Sequence, residues 1–338
     1  MPNSNLIPLS LYIHIPWCVK KCPYCDFNSH ESRTPIDFVG YVDALLDDLK
    51  SQLSLVQGRK IATIFIGGGT PSLLPIAQYR QLFAGINAQL TLTHDCEITM
   101  EANPATVEHA PFHEYLAVGI NRLSLGVQSF QTQKLAALGR IHNPQQALLA
   151  IANAQQAGFK KLNVDLMHGL PNQTLTDALN DLQQAIDLGV SHISWYQLTI
   201  EPNTVFYRNT PILPDDEILV DIFEQGAELL KANGFVQYEV SAWSRQADFQ
   251  PSQHNLNYWQ FGDYLAIGAG AHGKVTRSDG IYRFSKSRLP KDYRVNQSAI
   301  GWQAIEPSDL PFEFMMNALR LKNGVPKQFW TERTGLAW

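Results

Sequence analysis

Three cysteines near the beginning of the chain have the spacing of ligands that share one metal centre. Cys18, Cys22 and Cys25 follow a short apolar segment and are spaced C-x3-C-x2-C. Thiolates this close together in one loop can hold a single inorganic centre. A structural zinc site is normally closed by four protein ligands, whereas three thiolates on a four-iron cube leave one iron open to a reacting molecule. The spacing therefore favours a [4Fe-4S] cluster with one free coordination position.

Two plainer explanations of these cysteines stay open. Zinc bound by the three cysteines together with His14 or His30 is the first, although the spacing is unusual for zinc. A disulfide framework is the second, but the chain has 4 cysteines in 338 residues and begins with the polar residues MPNSN, not with a signal peptide. Free thiols in a reducing compartment fit better, so we expect a cytoplasmic protein.

Charge and hydropathy argue against several classes of function. The formal net charge of -5 argues against a general nucleic-acid surface, which is normally basic. No apolar run approaches the roughly 20 residues that a membrane-spanning helix needs. With 45% hydrophobic residues among 338, the chain can bury the core of one large domain and a smaller one.

The elements that must position the cysteines can be read from the ends of the predicted helices. Four times a helical stretch ends at a glycine and the chain continues as an apolar strand, at Gly119, Gly158, Gly189 and Gly234. Glycine suits the left-handed position that closes a helix, so each marks a helix-to-strand turn. Helix starts are indicated by Thr174 and by capping residues beside prolines, at Thr34-Pro35, Asn143-Pro144 and Pro214-Asp215.

Strands and helices therefore alternate along most of the chain. Such alternation implies a parallel sheet, and six or more units predict an α/β fold built as a partial or full TIM-like barrel. An open, doubly wound sheet is the rival, but the first strand ends in cysteines and not in a dinucleotide fingerprint. The predicted strands cover approximately residues 9–16, 61–67, 97–102, 122–127, 161–167 and 193–199.

The alternation of side chains along each strand predicts which groups face the barrel interior. Aliphatic residues such as Leu123 and Leu125 share one face of a strand, while polar residues such as Ser124 share the other. Ordinary barrel interiors are filled by branched aliphatics, so polar groups on several strands indicate a lumen that binds a ligand. A network of side chains bonded to one another is the alternative.

A triple glycine follows the second predicted strand, in the segment GGGTPS at residues 67–72. Glycines at a strand end let backbone N–H and C=O groups approach a ligand. The segment is not a Walker loop, because no Gly-Lys-Ser/Thr follows it. Taken together with the cysteines, it predicts a ligand site at the carboxyl end of this strand.

With Tyr24 directly before the third cysteine, the C-x3-C-x2-C pattern resembles the signature of the radical S-adenosylmethionine (SAM) superfamily. The resemblance implies that the open iron holds the amino and carboxylate groups of SAM. It also implies that an electron from the cluster cleaves SAM to a 5′-deoxyadenosyl radical.

Matching the chain to this family position by position gives a set of expected SAM contacts. Gly68, Gly69 and Thr70 match the family's GGGTP stretch and are expected at the methionyl part, while Tyr12 and Tyr24 match aromatic residues near the adenosine. The remaining matches are Glu101 in MEANP for the amino group or ribose, Gln128 in GVQSF, Arg140 in LGRIH and Asp165 in NVDLMHGLP. Carboxylates and amides suit an ammonium and hydroxyls, and arginine suits a carboxylate. For each polar residue singly, a structural hydrogen bond is an equal explanation.

The motifs up to residue 171 are typical of one branch, the oxygen-independent coproporphyrinogen III oxidases and their relatives. They are GGGTPS, EANP, NRLSLGVQSF, LGRIH and DLMHGLP. True oxidases of this branch have a fourth cysteine two residues after the third, where this chain has Phe27. With phenylalanine at this position, the chain resembles the HemW group of heme chaperones. This resemblance implies that oxidase activity is absent. Cys96 has no metal-ligand spacing around it and is expected to be a buried thiol.

A second segment resembles the same group. The residues HNLNYW, from His254, have the form of its HNxxYW motif, and the resemblance implies a part in heme binding. Imidazole can ligate heme iron, so His254 is the expected ligand and His272, in a later glycine-rich segment, ranks below it. The alternative is an ordinary loop in which His254 bonds to the scaffold.

The chain divides into two predicted domains. Residues 1–300 are expected to form a radical SAM barrel with a barrel-closing extension. Residues 301–338 are expected to begin a truncated, mainly helical, winged-helix-like C-terminal domain, whose first helix starts near Pro311 in PFEFMMNALRLKNGV. The chain stops at Trp338, which suggests a truncated or unusually short form.

The resemblance implies a heme chaperone that binds a [4Fe-4S] cluster, SAM and heme and delivers heme to apoproteins. It further implies an electron donor that reduces the cluster, and it is compatible with a homodimer. One alternative is a coproporphyrinogen III oxidase that decarboxylates propionates in heme biosynthesis. The other is a zinc-stabilised binding protein. No residue is assigned a catalytic role.

Overall fold

Alternating strands and helices make up the computed structural model, which describes residues 4–31, 34–106, 111–297 and 300–338. The strands are β1 (Leu9–Ile15), β2 (Trp17–Cys18), β3 (His30–Glu31), β4 (Ile61–Gly68), β5 (Leu92–Ala102), β6 (Arg122–Gln128), β7 (Lys161–His168), β8 (His192–Gln197), β9 (Phe235–Glu239), β10 (Ala242–Arg245), β11 (Asp263–Ile267), β12 (His272–Arg277), β13 (Gly280–Ser285) and β14 (Ile300–Ala304). The helices are α1 (Phe38–Ser51), α2 (Leu53–Val56), α3 (Ile76–Gln89), α4 (Phe112–Ala117), α5 (Thr132–Ala137), α6 (Pro144–Gln156), α7 (Leu175–Asp187), α8 (Val205–Arg208), α9 (Asp216–Ala232), α10 (Gln253–Trp259), α11 (Pro290–Val295), α12 (Leu310–Ala318) and α13 (Gln328–Thr334). Within the described ranges, no helix combines the length and apolar character needed to cross a membrane.

One large sheet contains every described strand except β2 and β3. Its order is β14-β13-β12-β11-β1-β4-β5-β6-β7-β8-β10-β9. The strands from β11 to β8 in this order run parallel, and both flanks are antiparallel. Because the edge strands β14 and β9 are not paired with each other in the described part of the chain, the predicted TIM-like barrel is confirmed in its partial form. The doubly wound alternative is wrong, since the sheet from β1 to β8 grows in one direction and does not reverse in the middle.

The four glycines predicted to end helices have left-handed backbone conformations. Their φ angles are 106° at Gly119, 99° at Gly158, 70° at Gly189 and 78° at Gly234. A residue with a Cβ is strained in this region, so glycine allows the chain to leave each helix and enter the next strand. The helix-to-strand turns predicted from the sequence are therefore confirmed.

The helix starts agree with the sequence at three of four places. Asn143 and Thr174 each form a capping box at α6 and α7, and the Asp215 side chain accepts a hydrogen bond from the N–H of Ile218 at α9. The prediction that Thr34 caps α1 is wrong. Asp37 stands directly before that helix and its carboxylate accepts from the N–H of Gly40, so it satisfies the free donor itself.

Aliphatic faces of the strands pack against the helices and form the main core. Leu11, Ile13 and Ile15 of β1 are fully buried and belong to one cluster with Tyr41 and Leu45 of α1. Burying such a side chain contributes about 1.5–3 kcal/mol. A register shift of one residue would turn all three to the opposite face, so the core fixes the register of the strand.

The opposite faces carry polar side chains toward the barrel interior, and they do so at two levels. Deep in the barrel the groups bond to one another: Asn163 Nδ2 donates to Ser124 Oγ at 2.7 Å, and His192 Nδ1 lies 2.6 Å from Asn163 Oδ1. Nearer the carboxyl ends of the strands, Glu101 and Gln128 line a cavity. The hydrogen-bond network and the ligand-sized lumen are therefore both present, one above the other.

Beyond residue 300 the chain forms β14, α12 and α13. Leu310, Phe314 and Trp330 of the two helices build a second, smaller core with Phe261 and Ile281. The helix predicted from Pro311 corresponds to α12, which begins one residue earlier. The domain boundary at residue 300 stays a prediction, because β14 pairs with β13 in the main sheet.

Candidate functional site

A cavity of about 420 Å³ lies at the carboxyl ends of strands β4 to β8, and we call it the thiol cavity. Its lining contains all the residues matched to a cluster or to SAM apart from Tyr12. They are Cys18, Cys22, Tyr24, Cys25, Gly68, Gly69, Thr70, Glu101, Gln128, Arg140 and Asp165. The ends of parallel strands meet at one edge of a barrel, so side chains far apart in sequence become neighbours here.

The three cysteines of the cavity are free thiols, and each sulfur has a polar neighbour. Thr70 Oγ1 donates toward Cys18 Sγ over 3.5 Å, and Arg140 donates toward Cys22 Sγ over 3.6 Å. Cys25 Sγ lies 3.9 Å from Ser29 Oγ. Donors of this kind stabilise thiolates and tune the potential of an iron–sulfur cluster. The donor set therefore fits a centre held by three thiolates.

Burial acts against ionisation of two of these thiols in the protein alone. It raises the pKa of Cys18 and of Cys25, and the hydrogen bonds from Thr70 and Ser29 oppose the shift. A bound metal deprotonates its thiol ligands outright. The loop is therefore arranged for thiolates that are neutralised by a metal centre rather than for free thiolates in water.

The zinc alternative requires a fourth ligand beside the three cysteines, from His14 or His30. Among the described residues no three His, Cys, Asp or Glu side chains, the three cysteines included, are grouped as ligands of a single ion, and this applies to zinc and to a cluster alike. His14 is occupied on both nitrogens, by Tyr12 and by the carbonyl of Asn28. His30 Nε2 lies 3.2 Å from the carbonyl of Arg288. Neither histidine lines the thiol cavity.

The triple glycine allows the end of β4 to lie against its neighbours without a side chain between them. A Cβ on Gly68, whose φ is 113°, would lie 2.5 Å from the ring of His14. A Cβ on Gly69 would lie 2.5 Å from the carbonyl of Trp17. The N–H groups of Gly69 and Thr70 already donate to β1 and β2, so close packing of the cysteine loop is the first reason for glycine here.

Two half-buried carboxyl groups, Glu101 and Asp165, line the same cavity. Burial, followed by the nearby charge of Asp165, raises the pKa of Glu101 to about 8. Burial also raises the pKa of Asp165, although Asn163 and Ser124 hydrogen-bond to it and oppose the shift. A cationic group placed between them would be attracted to both, because two carboxyls in low dielectric favour a compensating charge.

Arg140 and Gln128 meet on one wall of the cavity. The guanidinium of Arg140 donates to the carbonyl of Gly126 at 2.6 Å, while its Nε is buried without a partner among the described residues. Gln128 has a left-handed backbone with φ of 68°, and its Oε1 accepts from Tyr196 OH at 2.9 Å. A non-glycine residue in this conformation is often found at a functional site.

A second cavity of about 660 Å³ adjoins the first, and we call it the aromatic cavity. Asp26, Phe27, Gly68 and Glu101 line both cavities. The other lining residues of the aromatic cavity are Tyr12, His14, Asn28, Phe65, Tyr258, Trp259, Phe261, Tyr264, Gly270, His272, Lys274, Arg283, Arg288 and Asn317. It therefore combines aromatic walls with several cationic groups.

The cations of the aromatic cavity differ in whether their charge is already neutralised. Lys274 Nζ pairs with Asp263 at 3.1 Å, and Arg283 pairs with Glu313. Arg288 is exposed, and its side chain makes no ion pair in the described part of the chain. Partial desolvation beside the cavity wall, with help from Arg283 and Arg288, lowers the pKa of the exposed His272 and keeps its imidazole neutral at neutral pH.

Comparison with known proteins places the chain in a family. The Radical SAM superfamily matches residues 12–185, and the HemN C-terminal domain matches residues 305–338. "Heme chaperone HemW" of Escherichia coli is 54% identical over 333 residues, which span 98% of this chain and 88% of that protein. The chain belongs to the radical SAM superfamily, in its HemW branch. The HemW of Haemophilus influenzae is also 54% identical, over 338 residues with the same coverage of 98% and 88%.

The fold of this radical SAM protein is similar to that of a solved relative. The structure of coproporphyrinogen III oxidase (HemN) from Escherichia coli, described as a radical SAM enzyme, aligns with a TM-score of 0.82 and 24% identity. The alignment covers 98% of this chain and 79% of that one. At this identity the likeness shows a shared fold.

The expected heme ligand of this radical SAM protein, His254, lines neither cavity in the structure. His254 is fully buried, its Nδ1 lies 2.7 Å from Thr63 Oγ1, and its Nε2 lies 2.7 Å from Tyr258 OH. Burial lowers the pKa of His254 to about 3. Both ring nitrogens are engaged by hydroxyl groups, and the imidazole has no face on either cavity. The scaffold explanation fits: His254 holds Tyr258, which does line the aromatic cavity.

Other predicted residues lie where the sequence suggested, or close by. Tyr12 lines the aromatic cavity and not the thiol cavity, so its place near adenosine stays a prediction. Cys96 is buried on β5, as expected, and burial raises its pKa to about 12. Tyr196 of the thiol cavity was missed, although strand alternation puts it on the same face of β8 as Ser194. Arg288 was missed as well, and no motif marks it.

Proposed function

We propose that this chain is a heme chaperone that holds a [4Fe-4S] cluster and SAM in the thiol cavity and delivers heme to apoproteins. One arrangement carries the proposal: a cavity with three free thiols adjoins a second cavity with aromatic walls and cationic groups. The 54% identity to Heme chaperone HemW of Escherichia coli over nearly the whole chain supports the same function.

The residues of the thiol cavity suit both cofactors chemically. Cys18, Cys22 and Cys25 would bind three irons of the cluster, leaving the fourth for SAM. When bound and reduced, the cluster supplies the electron for cleavage of SAM. Arg140, next to Cys22, adds a positive charge that stabilises the thiolate side of the site.

The polar strand ends would orient SAM. Glu101 and Asp165 present two half-buried carboxyls with raised pKa values that an ammonium or ribose hydroxyls would satisfy. Gly68, Gly69 and Thr70 form the part of the wall next to Cys18, and Gln128 is held in place by Tyr196. The ring of Tyr24, buried against Phe206, offers an apolar face to adenine.

Oxidase activity is not part of the proposal. Phe27 occupies the position at which the oxidases of this branch have a cysteine, and its side chain is 60% exposed at the border of both cavities. A phenyl ring provides neither a thiolate nor a proton. It does suit contact with the face of a porphyrin.

The proposal includes partners that act on the two cofactors. An electron donor would have to reduce the cluster, and heme-accepting apoproteins would have to approach the open side of the barrel. Free thiols as metal ligands fit a reducing cytoplasm. A homodimer, a barrel domain at residues 1–300 and a C-terminal domain at residues 301–338 belong to the same proposal.

Metal and heme content measured on one anaerobically reconstituted sample test the proposal. We expect about four irons and four sulfides per chain, and heme binding after loading with hemin. Cys18→Ser should abolish the cluster absorbance, whereas Cys96→Ser should leave it unchanged. One zinc with no iron or sulfide would establish the zinc-stabilised protein instead.

An activity assay separates the chaperone from the oxidase. The reconstituted protein is incubated anaerobically with coproporphyrinogen III, SAM and a reductant. We expect no protoporphyrinogen, because Phe27 replaces the additional cysteine of the oxidases. Formation of protoporphyrinogen at a useful rate would overturn the chaperone assignment.

A further inference from the structure

The aromatic cavity has the size and lining of a site for a flat, acidic ligand. Its volume of about 660 Å³ lies within the range of about 300–1,000 Å³ that is typical of small-molecule sites. Aromatic rings from separate segments line it, among them Phe27, Trp259 and Tyr264. Such rings bury the face of a planar ligand at little entropic cost.

Only one of the histidines that line this cavity has an available ring nitrogen in the described structure. His14 Nδ1 lies 2.9 Å from Tyr12 OH, and its Nε2 lies 2.8 Å from the carbonyl of Asn28. His272, at the start of β12, is exposed, and its ring makes no hydrogen bond to any described residue. His254 is bonded on both nitrogens behind the wall. A metal entering the cavity therefore meets the lone pair of His272 first.

One wall of the cavity carries a cation suited to an anionic group on the same ligand, while Asp26, at the border with the thiol cavity, is a carboxylate that makes no ion pair with any described residue. Lys274 and Arg283 already have carboxylate partners, so their charges are largely neutralised. Arg288 keeps its charge uncompensated within the described ranges, on the segment that follows β13. An arginine fork matches the geometry of a carboxylate. Strand β12 with His272 pairs with β13, so both groups belong to one wall.

We propose that His272 ligates the iron of heme in the aromatic cavity and that Arg288 pairs with one of its propionate groups. The proposal rests on the proposed function, in which heme is the cargo, and assigns the residues that hold it. An imidazole nitrogen donates its lone pair to iron without a change of oxidation state, and a propionate is already ionised at neutral pH. His254 then acts as a positioning residue through Tyr258.

Hemin titration of the anaerobically purified chain tests the iron ligand. His272→Ala should change the Soret band and weaken hemin binding at least about tenfold, a loss of roughly 1.4 kcal/mol. Imidazole added to the His272→Ala variant should restore the Soret band that the wild-type complex shows. His94→Ala, at an exposed position on β5, is the matched control and should bind hemin like the wild type.

His254→Gln separates the two candidate histidines. If His272 is the ligand, this variant keeps the Soret position of the wild type even where its affinity is lower. A changed Soret band in His254→Gln, together with an unchanged one in His272→Ala, overturns the inference. Far-UV circular dichroism and cluster absorbance verify that each variant is folded.

The propionate contact is tested with two porphyrins and two arginines. Arg288→Gln should weaken hemin binding about fivefold, since a charge-assisted hydrogen bond is lost, and should leave binding of hemin dimethyl ester unchanged. Arg277→Gln is the control, because Arg277 pairs with Asp279 on the exposed β12–β13 turn. Equal effects of Arg288→Gln on both porphyrins overturn the role of Arg288.

The outcomes distinguish a failure of the ligand assignment from a failure of the proposed function on which it rests. If the wild type binds no hemin, the proposed function falls and the inference falls with it. If the wild type binds hemin and both His272→Ala and Arg288→Gln match it, the inference alone falls. Losses confined to these two variants, with the controls unchanged, support it.

Discussion

At the scale of single residues, Glu101 shows how the barrel interior prepares a group for a ligand. It is half-buried in the thiol cavity, and its pKa is raised to about 8 by desolvation and by the charge of Asp165, compared with about 4.3 for glutamate in an unfolded chain. The folded state therefore binds the proton more tightly than the unfolded state. The stability contributed by protonated Glu101 is complete below pH of about 4 and is lost progressively as the pH rises to about 8.

Glu101→Gln should remove this pH dependence from the ligand-free protein. We expect the variant to gain stability relative to the wild type as the pH rises from about 5 to about 8, by at most about 1.4 kcal/mol per pH unit. The glutamine still accepts the hydrogen bond from the N–H of Gly68. Urea unfolding of both proteins across this range measures the difference, and parallel stability curves would contradict the raised pKa.

Gly68 offers a second test at the residue scale, because a side chain there meets two obstacles. Its φ of 113° disfavours any residue with a Cβ, and the added atom would lie 2.5 Å from the ring of His14. Gly68→Ala should lower the free energy of unfolding by about 3 kcal/mol. Gly58→Ala is the control: its φ is 75° but nothing lies within 4 Å of the new Cβ, so a loss of about 1 kcal/mol is expected. Equal losses in urea unfolding would show that His14 does not pack against β4 as described.

At the scale of elements, local chemistry made the framework predictable from the sequence. Glycines such as Gly158 and caps such as Asn143 act within a few residues of their own position, so their effects can be read without the fold. Strand alternation placed Ser124 and Asp165 on the interior faces for the same reason, and they hydrogen-bond at 3.0 Å. The competition between Thr34 and Asp37 for the start of α1 was decided by which residue stands directly before the helix.

The cap of α7 can be tested on its own. Thr174 Oγ1 accepts from the N–H of Asp177 at 3.2 Å, and the Asp177 carboxylate accepts from the N–H of Thr174. Thr174→Ala should cost about 1 kcal/mol of unfolding free energy, whereas Thr174→Ser keeps the hydroxyl and should cost much less. Chemical denaturation of the wild type and the two variants measures these losses of unfolding free energy. Equal losses in both variants would mean that the cap contributes nothing.

What the sequence did not predict depends on contacts between distant segments. The motif around His254 indicated a functional histidine. Its bond to Tyr258 lies within α10, but its bond to Thr63 arises only when α10 packs on β4. Arg288 follows β13 without any motif, and it reaches the aromatic cavity because β12 and β13 extend the sheet beside β11. Sequence patterns identify such residues poorly, since neither periodicity nor spacing encodes which side chains meet across the sheet.

At the scale of the whole molecule, the wall that carries His272 and Arg288 must be fastened to the barrel. A buried network does this between α1 and the segment from β13 to α11. Lys286 Nζ lies 2.6 Å from Asp48 Oδ1, and Tyr293 donates to Asp48 Oδ2 at 2.7 Å. The side chains of Lys286 and Asp48 are 1% and 0% exposed. The geometry of the aromatic cavity therefore depends on an ion pair outside it.

Breaking this pair should cost far more than breaking an exposed pair between the same two regions. Asp48→Asn leaves the ammonium of Lys286 buried without a counter-charge, and we expect a loss of roughly 3–5 kcal/mol in urea unfolding. Asp37 and Arg294, 52% and 41% exposed, also join the start of α1 to α11, but Asp37→Asn should cost about 0–1 kcal/mol, because asparagine still caps the helix. Adding Lys286→Met to Asp48→Asn should recover part of the loss, since it removes the unpaired charge. Similar losses in Asp48→Asn and Asp37→Asn would show that burial of the first pair does not fasten the cavity wall.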